Sequence, residues 1–120
     1  MAITKKTIER AYELLRELPP FNKWSLPPKS KVEFGFAKEK NVYGIYFPKE
    51  GSRKHRINVC RGISIPKLTE TLAHEMIHLK QCVAGRKIQF IDSQADWHDK
   101  EFRKLARKVC KQQGYKLKEF

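Results

Sequence analysis

Cysteine is the first scarcity in this chain. Only Cys60, Cys82 and Cys110 are present, an odd number with no CxxC pair. That argues against a zinc ribbon or a disulfide framework and points to a reducing, intracellular setting, with three buried, inert thiols. Long apolar runs are missing too. No segment approaches the roughly 20 residues of a membrane span, so no membrane contact is expected. The opening "MAITKKTIERAYELL" puts charges where a signal peptide needs an apolar run. Internal repeats and low-complexity tracts are absent. Acidic residues are few: 13 Asp and Glu against 26 Lys and Arg leave a net charge of +13. With 120 residues the chain can bury a core without staples, and residues 1–120 read as one domain, expected to be a monomer.

The surplus of positive charge is uneven. Residues 1–20 carry +1, residues 21–65 carry +7, residues 66–98 carry 0 and residues 99–120 carry +5. A small basic protein is drawn to polyanions, of which nucleic acid is the commonest. Arg53, Lys54 and Arg56 gather in a turn, and Arg103, Lys104, Arg107, Lys108 and Lys111 share one helix face. These are the candidate phosphate contacts, set against the plainer use of such charges as a solvated surface. Trp24, Tyr43 and Tyr46 could stack on bases, although the core is the expected destination of all three.

The chain reads as an α+β fold. Ile8, Ala11, Tyr12, Leu15 and Leu18 recur at helical spacing over residues 4–18, and Pro19 and Pro20 stop that helix. Phe21 and Trp24 are expected anchors in the connection that follows. "KVEFGFA", "NVYGIYF" and "HRINVCRGI" read as three strands, most simply an antiparallel sheet. A helix spans roughly 66–84, entered at Pro66 and ended at Gly85. A loop of about a dozen residues, "GRKIQFIDSQAD", precedes the last helix. That helix starts near Trp97, with Asp96 as its N-cap and Asp99 three residues on, and runs to about Gln113.

The 66–84 helix carries "TLAHEMIH". His74 and His78 are one turn apart, so both can offer a ring nitrogen to one metal ion. Glu75 sits about 100° round from His74, placed to reach a metal-bound water rather than to ligate. This is the division of labour in HExxH hydrolysis: two neutral imidazoles hold one zinc ion, and the carboxylate takes a proton from the water that zinc acidifies. Chance alone would produce HExxH in a chain of this composition about 1% of the time, so context must decide. Leu68, Leu72, Met76, Leu79 and Val83 form the apolar stripe, and the histidines lie about 140° away from it. A catalytic zinc usually takes three protein ligands. His55 lies among Arg53, Lys54 and Arg56, which repel a cation. His98 starts the last helix, on the same face as Phe102, Leu105, Ala106 and Val109. Asp92, Asp96, Asp99 and Glu101 are competing oxygen ligands.

With "RINVC", "TLAHEMIH" and "HDKEF" in this order, roughly residues 31–110 resemble the SprT-like metalloprotease family, the family of SprT and the DNA–protein crosslink protease Spartan. The resemblance implies a minimal zincin-like metalloprotease domain: an N-terminal helix, a small sheet, the HExxH helix and a C-terminal helix. It implies His74, His78 and His98 as ligands of one Zn2+ ion, Glu75 as general base and Phe102 as the packing aromatic. The chain departs from the family at Asp99, where a glycine follows the third histidine, and from its cysteine count no C-terminal zinc finger is expected. The expected function is a zinc-dependent endopeptidase acting on DNA-associated proteins, cytoplasmic or at the nucleoid, with single- or double-stranded DNA as partner. The substrate would lie extended along a sheet edge, perhaps strand 55–61. Two alternatives stand beside it. One is a nucleic-acid-binding protein with a structural or silent zinc site. The other is an HExxH peptidase of another family that cuts a regulatory, phage or host protein.

Overall fold

The computed structural model describes residues 3–38, 42–51, 54–83, 100–117 and 120. Helix α1 covers Lys5–Arg16. Thr4 caps it through a reciprocal box with Thr7, which satisfies free amides of the first turn. Ile8, Tyr12 and Leu15, at i, i+4 and i+7, are its buried face. Burying side chains such as Ile8 and Leu15 is worth roughly 1.5–3 kcal/mol each. After the proline pair, Phe21 and Trp24 pack edge to face at 5.1 Å and anchor the connection in the core, as expected.

Three strands follow: β1 at Val32–Phe36, β2 at Gly44–Phe47 and β3 at His55–Val59. The sheet is mixed rather than antiparallel. Its order is β1-β3-β2, with β1 parallel and β2 antiparallel to β3. Alternating hydrophobicity fixes which face of a strand is buried; it does not fix which strand is its neighbour. The central place goes to β3, where Ile57, Asn58 and Val59 are all buried. Ala37 donates to the Val59 carbonyl at 2.8 Å, and Cys60 donates to the Tyr43 carbonyl at 2.7 Å.

The pairing register lines up Phe34, Ile57 and Tyr46 in one buried row. Helices cover that face: Tyr12 of α1 meets Phe34 at 5.2 Å. The opposite face is polar. Arg56 donates to Glu33 at 3.1 Å and to Asn58 at 3.0 Å.

Helix α2 covers Ile65–Val83. Ser64 accepts the Lys67 amide at 3.3 Å, and Pro66 stands in the first turn, where no amide is needed. Helix α3 covers Lys100–Gln113. Gly114 ends it at φ 78°, a left-handed turn that a side chain would strain, and its amide closes on the Cys110 carbonyl at 2.8 Å. The expected loop 85–96, the Trp97 start and the Asp96 cap lie outside the described residues, as does Gly85. Of the three thiols, only Cys110 is buried; Cys60 and Cys82 are partly exposed. Among the described residues no helix is long and apolar enough to cross a membrane.

Candidate metal centre

Helix α2 runs through the middle of the molecule, packed by α1, α3, β2 and β3. Its apolar stripe is buried as expected as far as Leu79, whereas Val83 is exposed. The histidine face, expected to stand off the packing surface, is covered as well: His78 is only 4% exposed. The cover is aromatic. Phe102 of α3 stacks on His78 at 4.7 Å and touches His74 at 5.0 Å. On its other side His74 meets Phe120, ring to ring at 5.3 Å, and its Nδ1 lies 2.8 Å from the main-chain oxygen of Phe120. A wheel shows which residues share a face, but not how many faces of a helix the rest of the chain will cover.

Glu75 points elsewhere. A Cβ added to Gly44 would sit 2.6 Å from Thr71 Cγ2 and 3.3 Å from Glu75 Oε2. The start of β2 thus rests directly on the Thr71–Glu75 turn, and the missing side chain makes that approach possible. Only 6% of Glu75 is exposed, and burial pushes its carboxyl up to about 8 from an ordinary 4.5. The helix therefore aims its two imidazoles at α3 and its carboxyl at the sheet. Among the described residues β2 pairs only with β3, so that carboxyl lies under an edge strand of the described sheet. Strand 55–61, the expected substrate edge, is instead central and paired on both sides.

The sequence profile of the SprT-like family matches residues 11–119. The chain belongs to the SprT-like family. The match extends beyond the resembling segment 31–110 to include the second half of α1 and the stretch after α3. The SprT-like family is associated with metallopeptidases. No curated protein and no solved structure matches the chain.

The two SprT-like histidines suit a shared zinc ion. Their ring centroids are 5.4 Å apart. Two imidazoles on one tetrahedral zinc, with Zn–N near 2.1 Å, would have centroids about 5 Å apart. Among the described residues no third His, Cys, Asp or Glu joins them. His98 lies outside the described residues, as do Asp92, Asp96 and Asp99. Glu101, the remaining carboxylate candidate, accepts from Gln81 at 3.0 Å. His55 is tied to the Tyr46 hydroxyl at 2.8 Å at the far end of β3, and burial, aided by Lys49, disfavours its charged form.

The expected phosphate contacts divide. Arg103, Lys104, Arg107, Lys108 and Lys111 are all exposed, on the side of α3 away from Phe102, Ala106 and Val109. Lys54 is exposed, whereas Arg56 is held by Glu33 and Asn58, and Arg53 lies outside the described residues. Trp24 and Tyr46 are in the core, but Tyr43 is 59% exposed with the Lys67 ammonium 4.3 Å above its ring. Three residues at the site were not singled out from the sequence. Gly44 had a signal, a lone glycine inside a strand pattern, which marks close backbone approach. Thr71 had its i−4 spacing from Glu75. Phe120 had none.

Proposed function

We propose that the protein is a zinc-dependent endopeptidase that acts on DNA-associated proteins. One observation carries the reading: a paired, packed imidazole face and a buried carboxyl share adjacent turns of α2, and the carboxyl lies under β2, which among the described residues pairs on one side only. His74 and His78 would hold the metal, with His98 as third ligand. In its favour, Phe102, four residues after His98, touches both described rings. When bound, zinc supplies Lewis acidity and lowers the pKa of a water. Glu75 accepts the proton from the attacking water and hands it to the leaving amine. Near the positive metal its charged form is favoured, against the burial that otherwise keeps it protonated.

An extended substrate would add to the edge of β2 that is unpaired among the described residues, where main-chain hydrogen bonds would hold it over Glu75. The exposed basic face of α3 would track phosphates, about one helix diameter from the histidines. The test is Glu75→Gln. It should keep its zinc and lose proteolysis of a DNA-bound protein; undiminished cleavage would end the mechanism.

The exposed basic face also favours a second reading, a DNA-binding protein whose zinc is structural. A structural zinc has a fourth protein ligand in place of water. X-ray absorption showing four protein donors and no water would select that reading.

A further inference from the structure

Thr71 is 5% exposed, and its hydroxyl has no hydrogen-bond partner among the described residues. A buried hydroxyl without a partner costs the fold, so its presence calls for a reason. A helical threonine often meets the need by bonding back to a carbonyl one turn earlier, and Thr71 does not. Its position supplies the reason. Glu75 lies one turn later on the same face of α2, and side chains on a helix lean towards its N-terminus, so the glutamate leans over Thr71. We infer that Thr71 is a positioning residue, whose hydroxyl donates to the Glu75 carboxylate and holds its aim. The inference rests on the proposed role of Glu75 as base.

Gly44 brings the two side chains together. From the point where a Cβ would stand on Gly44, Thr71 Cγ2 is 2.6 Å away and Glu75 Oε2 is 3.3 Å away. The threonine methyl is thus held under β2, with the carboxyl tip beside it. Thr71 and Glu75 share this contact without a hydrogen bond between them. The glutamate side chain turns about three bonds, so its carboxylate can close on a hydroxyl whose carbon the strand holds still. The methyl of Thr71 then supports the strand, and the hydroxyl on the same carbon serves the carboxylate. A carboxylate accepts at both oxygens. With one oxygen held by Thr71, the other is left to take the proton from water. A base must stay within hydrogen-bond reach of the proton it removes, and a side chain fixed by a supporting hydrogen bond does so better than a loose one.

Two measurements test this. A crystal structure of the full chain in alkaline buffer, where the carboxyl is charged, should place Thr71 Oγ1 about 2.7 Å from a Glu75 oxygen. A hydroxyl out of hydrogen-bond reach of that carboxylate would overturn the assignment. The second measurement compares Thr71→Val, which keeps the methyl and the shape but loses the hydroxyl, with Thr71→Ser, which keeps the hydroxyl and loses the methyl. On a protein substrate, kcat should fall about 10–100-fold in the valine variant and stay near wild type in the serine variant, with KM and zinc content unchanged in both. Stability should run the other way: the metal-free melting temperature should hold or rise with valine and fall with serine. A merely structural threonine would make the serine variant the slower one. Full activity in the valine variant, or equal losses in both, would overturn the inference. If the valine variant does not fold, the crystal structure decides. If the wild-type chain cleaves nothing, the proposed function fails instead, and the crystal structure still reports the hydrogen bond.

Discussion

Glu75 is the residue on which the proposed chemistry turns, and its burial has a consequence even without metal. Its carboxyl titrates near 8 in the fold but near 4.5 in an exposed chain. Below about 4.5 it is protonated in both states, and its contribution to stability is fully present. Between there and about 8 the unfolded chain gives up the proton first, so the metal-free fold weakens as pH rises. The cost is on the order of a few kcal/mol. Melting temperatures of the metal-free protein should fall from pH 5 to 8, and more steeply than those of Glu75→Gln. Parallel curves would contradict the burial argument. HExxH spacing singles out the residue and the role proposed for it. Its neighbour was not legible in the sequence: nothing in "TLAHEMIH" says that a strand will lie on the carboxyl.

At the scale of elements, that strand is β2, and its close approach depends on Gly44. A methyl at this position would meet Thr71 Cγ2 at 2.6 Å, so α2 or β2 must give way. Gly44→Ala should cost about 1–3 kcal/mol by overpacking, read by denaturant unfolding. It should also displace Glu75 and reduce cleavage while zinc content holds. A variant with wild-type stability and rate would show that β2 does not position the carboxyl. The helices were legible because their apolar spacing and stop signals are local: Ile8, Tyr12 and Leu15 in α1, and the Leu68–Leu79 stripe in α2, are buried. The strand faces were legible for the same reason. Strand order was not, because pairing of β1 with β3 is a long-range choice that the period-2 pattern leaves open. The aromatic cover over the histidines was equally hidden. Phe102 was marked as inward-facing, but Phe120 reaches His74 across 46 positions.

For the whole molecule, the +13 charge and the SprT-like match have to be reconciled. The basic face of α3 is turned away from the histidine site, so the proposed polyanion binding and peptide binding would use different surfaces. Replacing Arg103, Lys104, Arg107 and Lys108 with Gln should weaken single-stranded DNA binding across sequences. It should also flatten the salt dependence, by about 0.7 in log–log slope per lost phosphate contact. Cleavage of a short free peptide should be unaffected. Titrations by fluorescence anisotropy at several salt concentrations read the slope; an unchanged slope would assign the surplus charge to solubility alone. The central claim is that α2 carries a zinc centre completed by His98. Elemental analysis of the purified protein beside His98→Ala tests it most directly. One zinc per wild-type chain, largely lost in the variant after dialysis against a mild chelator, is the expected result. A wild-type chain without zinc, or a variant that retains it fully, would contradict the account.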